Sequence, residues 1–76
     1  MTKTDAVKRY ISLGMYKEAL RIVKGFRIGV TADDRNAFSM AYECILYPDF
    51  YRSLGINPQL KTEEGITLLK KIFNAV

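Results

Sequence analysis

Apolar residues in this chain return at three- and four-residue intervals, and that spacing constrains its fold more than any other feature. Ala6, Val7, Tyr10 and Ile11 form a first stripe, and Tyr16, Ala19, Leu20 and Val23 a second. Phe38, Ala41, Tyr42 and Ile45 form a third, with Ala37, Met40 and Cys44 beside it, and Ile66, Leu69, Ile72, Phe73 and Val76 a fourth. A strand would alternate every second residue, so this period specifies amphipathic helices. The predicted fold is an all-α, compact single domain over residues 1–76. It is a bundle of four helices plus one short helical turn, beginning with an αα-hairpin.

Glycine, proline and capping residues set the expected boundaries. Thr4 is placed to cap a first helix from about Asp5 to Leu13, with Asp5 where the helix dipole favours a negative charge. Gly14 suits the left-handed position after a helix end, and the second helix begins at once and ends near Lys24, before Gly25. So short a connection folds the two helices back on each other, with Gly14 and Ala19 expected to let the backbones approach. Phe26 to Val30 alternates like a strand but has no partner of matching length, so a packed loop is expected. Thr31-Ala32-Asp33-Asp34 reads as a helix start, and Pro48 stops that helix by disfavouring helical geometry at Tyr47. Asp49 to Leu54, between Pro48 and Gly55, fits the short helical turn. Asn57-Pro58 signals a turn or cap, and Thr62-Glu63-Glu64 an acid-rich start to the last helix, with Lys70 and Lys71 near its end.

At 76 residues the core must be dense, and 49% hydrophobic content with nine aromatic rings meets that need without disulfides. No apolar run approaches the roughly 20 residues that span a bilayer, so no membrane association is expected. The N-terminal Met1-Thr2-Lys3-Thr4-Asp5 lacks a signal-peptide pattern, and the single Cys44 has no internal disulfide partner. Both point to a reducing, cytoplasmic setting.

Little in the sequence supports catalysis. There is no histidine, and one cysteine cannot assemble a Cys/His metal site. Cys44 lies mid-helix beside an apolar stripe, the setting of an inert thiol rather than a nucleophile. Asp33/Asp34 and Glu63/Glu64 are read as acids of helix starts, since neighbouring side chains on a helix diverge by about 100°. The five glycines match no phosphate-cradling loop, and Ser12, Ser39 and Ser53 stand in no nucleophile elbow. No catalytic, cofactor-binding or metal residue is assigned, and no small-molecule substrate is expected.

Charge is uneven. Residues 1–30 carry seven Lys or Arg against two acids, while residues 31–76 carry five against six. Lys17, Arg21 and Lys24 fall on one face of the second helix, which invites a DNA-binding helix-turn-helix reading. That motif, however, usually has a small residue four positions before the turn glycine and an apolar one five before it. Here those positions hold Tyr10 and Arg9. RNA recognition would interleave rings with cations, whereas these rings lie mainly on the apolar stripes.

Leu13-Gly14-Met15-Tyr16-Lys17-Glu18-Ala19-Leu20 resembles the turn of a tetratricopeptide unit, in which a glycine, an aromatic and an Ala-Leu pair pack two helices. No second copy follows at a period near 34 residues, so the likeness is one of hairpin packing rather than of family. A longer pattern runs from Lys24 to Gly55. Lys24-Gly25-Phe26-Arg27-Ile28-Gly29-Val30-Thr31, then Ala41-Tyr42-Glu43, then Tyr47-Pro48-Asp49-Phe50-Tyr51-Arg52-Ser53-Leu54-Gly55 resembles small helical proteins of bacteriophages and prophages. The resemblance carries no catalytic or cofactor motif. It implies an accessory role in the cytoplasm of a bacterial host.

The functional expectation is therefore a small non-enzymatic binding protein acting through protein-protein contact, with a host factor or a second copy as partner. Tyr47, Phe50, Tyr51 and Leu54 are the candidate contact residues, because the segment around Pro48 is too short to bury all of them. The competing reading is that they close the bottom of the core. The alternative function is nucleic-acid binding by the basic hairpin through Lys8, Arg9, Lys17, Arg21, Lys24 and Arg27.

Overall fold

The computed structural model describes residues 2–26 and 29–73. They form five helices and no strand: α1 (Lys3–Ser12), α2 (Tyr16–Val23), α3 (Ala32–Leu46), α4 (Pro48–Ser53) and α5 (Pro58–Phe73). The fold is all-α, as the periodicity predicts. Arg27, Ile28 and Val76 lie outside the described residues, so the loop expected at 26–30 is seen only at its ends and the last stripe only to Phe73.

Two helix starts differ from expectation, both for local hydrogen-bonding reasons. Thr2, not Thr4, caps α1. Its hydroxyl accepts from the Asp5 N–H at 3.1 Å, while the Asp5 carboxylate accepts from the Thr2 N–H at 3.4 Å. This reciprocal pair needs the acid three positions after the hydroxyl, which Thr2 satisfies with Asp5 and Thr4 does not. The last helix starts at Pro58 rather than Thr62. Asn57 Oδ1 accepts from the Leu60 N–H at 3.2 Å and Pro58 occupies the first turn, while the Thr62 hydroxyl donates back to the Pro58 carbonyl at 2.8 Å. Glu63 and Glu64 consequently lie beyond the first turn and do not cap the helix. Glu64 instead stands 3.6 Å from Lys61. The start of α3 is as expected, with Thr31 and Asp34 repeating the reciprocal cap at 3.1 and 3.3 Å.

One core lies between the helices. Val7 and Ile11 of α1, Ala19, Leu20 and Val23 of α2, Phe38 and Ala41 of α3, and Leu69 and Phe73 of α5 are buried together with Val30. The largest helix contact is α3 against α5, and it is set by small residues. A Cβ built on Gly65 would collide with the Ala41 Cβ and stand 3.6 Å from the Ala37 carbonyl. Gly14 works differently. Its φ is +73° and a Cβ there would meet nothing within 4 Å, so it serves the backbone conformation of the α1–α2 turn rather than close approach. The loop before α3 is tied down at its ends. Arg35 donates to the carbonyls of Phe26 and Val30 at 3.4 and 3.3 Å, and the Phe26 ring meets Phe73 edge-on at 5.8 Å.

Candidate protein-contact surface

The interruption of the helix at Tyr47, between α3 and α4, positions the candidate contact residues. Tyr47 precedes Pro48, whose ring disfavours helical geometry before it, and Tyr47 accordingly sits at φ −131°, ψ 59°. Its N–H still donates to the Glu43 carbonyl at 2.7 Å, and its carbonyl accepts from the Tyr51 N–H at 3.3 Å. Tyr47 therefore closes α3 and opens α4. At the other end Gly55, at φ +80°, turns the chain, and the Ile56 N–H donates to the Tyr51 carbonyl at 3.0 Å.

Held between these caps, α4 divides its large side chains. Tyr51 turns inward and is 9% exposed, whereas Tyr47, Phe50 and Leu54 are 57%, 58% and 59% exposed. The three exposed residues follow one another at three- and four-residue spacing and make an outward apolar strip. Phe50 meets the Tyr51 ring edge-on at 5.1 Å, so the strip rests on an anchored ring. Of the four residues expected to form a contact surface, Tyr47, Phe50 and Leu54 are exposed, whereas Tyr51 is buried with its ring against Phe50. Burial pushes the Tyr51 phenol above its ordinary value, and the nearby Glu43 carboxylate adds to the effect.

A groove continues from Tyr47 toward α2. Lys24, Ser39, Tyr42, Glu43, Leu46 and Tyr47 line about 380 Å³. Ser39, Tyr42, Glu43 and Leu46 come from one side of α3 by their spacing, and Lys24 reaches in from the end of α2, its ammonium 5.4 Å from the centre of the Tyr42 ring. Glu43 makes no ion pair among the described residues. Sequence spacing marked Tyr42 only as a core residue and did not mark Ser39 or Glu43 as surface groups.

The basic residues are less unified. Lys17, Arg21 and Lys24 do share one side of α2, but Arg21 is bound to Glu18 at 3.0 Å, which raises the guanidinium pKa through the hydrogen bond and then the charge. Lys8 borders a separate cavity with Thr4, Phe26, Gly29, Val30, Ile72 and Phe73. Arg9 is exposed on α1, and Arg27 lies outside the described residues. Lys70 of α5, not among the expected basic residues, stands 5.1 Å over the Tyr16 ring, a pairing between positions too far apart in sequence for any spacing to reveal.

Cys44 is buried, and burial pushes its thiol above the ordinary value, the opposite of nucleophile activation. Among the described residues no three His, Cys, Asp or Glu side chains gather in a way that would hold a metal ion, and no helix is long and apolar enough to cross a membrane. Compared with protein-family models, with curated proteins and with solved structures, the chain matches none.

Proposed function

We propose that this chain is a small non-enzymatic binding protein that engages a protein partner through the strip Tyr47, Phe50 and Leu54. One observation carries the reading: Tyr51 of α4 is buried, while Phe50 and the flanking Tyr47 and Leu54, at three- and four-residue spacing, are left exposed. Leaving such residues partly in water forfeits a share of the roughly 1.5–3 kcal/mol that full burial of a Leu or Phe side chain gains, and contiguous exposed apolar surface is characteristic of contact sites. The resemblance of residues 24–55 to small phage and prophage proteins supports a partner in a bacterial host cell and an accessory role there.

The basic side of α2 supports nucleic acid as the second reading, through Lys17 and Lys24, with Arg21 shared with Glu18. Both readings are tested by affinity capture from bacterial lysate with and without nuclease. Protein contact predicts a captured protein that survives nuclease and is lost with Leu54→Asp. Nucleic-acid contact predicts loss on nuclease treatment and strong salt dependence, because each neutralised phosphate releases counterions.

A further inference from the structure

The groove beside the strip has a composition that selects for one kind of side chain. Tyr42, Tyr47, Ser39, Leu46 and Glu43 line about 380 Å³ together with Lys24, and the groove shares Tyr47 with the strip. Glu43 accepts a hydrogen bond from the Tyr51 phenol and has no ion-pair partner among the described residues. Aromatic faces and a carboxylate together favour a cation, and a planar guanidinium satisfies both by stacking on a ring while donating to the carboxylate. The chain itself shows that the Tyr42 face accepts positive charge, since the Lys24 ammonium stands over it.

We infer that the groove formed by Tyr42, Glu43, Ser39 and Tyr47 is a subsite for an arginine side chain of the partner protein, with Lys24 as the resident cation that the arginine displaces. This rests on the protein-contact reading and deepens it: the partner segment carries an arginine next to apolar residues that lie on Phe50 and Leu54. Arg21 does not repel such a ligand strongly, because Glu18 neutralises it. Displacing Lys24 costs little, because its ammonium returns to water.

Because Lys24 competes for the Tyr42 face, removing this positive charge from the site must strengthen binding of a cation. The test is an NMR titration of the intact chain with N-acetyl-arginine methylamide, followed through the amide signals of residues 39, 42, 43, 46 and 47. N-acetyl-norleucine methylamide and inorganic phosphate serve as comparison probes. Saturable shifts with the arginine amide alone are expected. Glu43→Gln should weaken its binding about two- to fivefold, and Lys24→Met should tighten it about two- to fivefold. Equal shifts with the norleucine amide, phosphate shifts at the same residues, or Lys24→Met weakening or not altering binding would each overturn the inference. Glu43 and Lys24 are both exposed, and the spectra themselves report whether each variant is folded. Failure of this titration alongside nuclease-resistant, Leu54-dependent capture would remove the arginine subsite while leaving the protein contact standing.

Discussion

Gly14 and Gly65 hold glycine for opposite reasons, and substitution separates them. At Gly14 the backbone sits at φ +73° in open space, so Gly14→Ala should cost about 1–2 kcal/mol from conformation alone, measured by denaturant unfolding. At Gly65 the obstacle is the Ala41 Cβ. Alanine would gain up to about 1 kcal/mol in helix propensity, but forcing two Cβ atoms together costs about 1–3 kcal/mol, so Gly65→Ala should destabilise on balance. Ala41→Gly in the same chain should recover part of that loss, a coupling that no variant of Gly14 shows. Cys44 and Tyr51 give the pH dependence. Each holds its proton more tightly in the fold than in the unfolded chain, so between the ordinary and the raised value the unfolded chain releases protons that the fold retains. The contribution of these two groups should therefore be level below pH 9.0, the ordinary thiol value, and fall as pH rises above it and then above 10.0, where unfolded tyrosine ionises. Chemical unfolding across that range checks the sign, and Tyr51→Phe should lessen the fall above pH 10.0.

Individual helices were legible in the sequence to the extent that their signals are local. Thr31 with Asp34, Gly14 after α1 and Pro48 after α3 each act within four residues, and each does what its position predicts. Thr31→Ala should accordingly cost about 1 kcal/mol in thermal or denaturant unfolding. Where two local signals compete, reading fails by a few residues. Thr2 and Thr4 both offer a hydroxyl, and only the reciprocal partner Asp5 decides between them. Asn57-Pro58 and Thr62-Glu63-Glu64 both look like helix starts, and the first one prevails because Asn57 already satisfies the Leu60 N–H. The contact of α3 with α5 was not legible at all. Gly65 and Ala41 are 24 residues apart, and nothing in either stripe reveals that a missing Cβ on one accommodates the other.

Across the whole molecule, the inward residues were largely foreseen and the outward ones only in part. Periodicity names Val7, Leu20, Phe38 and Leu69 as core, and all four are buried. It assigns Tyr16 and Tyr42 to apolar stripes as well, yet both rings carry a lysine over one face. Such pairings depend on how the helices cross, which composition and spacing do not encode. The strip on α4 lies between these cases: the shortness of the helix signals that something must remain exposed, and only the fold separates Tyr51 from Phe50 and Leu54. If the strip serves contact rather than folding, altering it should leave the fold standing. Leu54→Asp should change stability by no more than about 0.5 kcal/mol, and Phe50→Asp by about 1 kcal/mol through loss of its edge-on contact with Tyr51.

The most direct measurement places a photoreactive phenylalanine analogue at position 50 in the chain expressed in bacterial cells, with the same analogue at the exposed Asn36 as reference. Irradiation should yield a discrete protein adduct from position 50 that is absent from position 36 and lost when Leu54→Asp is added. Equal labelling from both positions, or no protein adduct from position 50, would contradict a contact surface on α4.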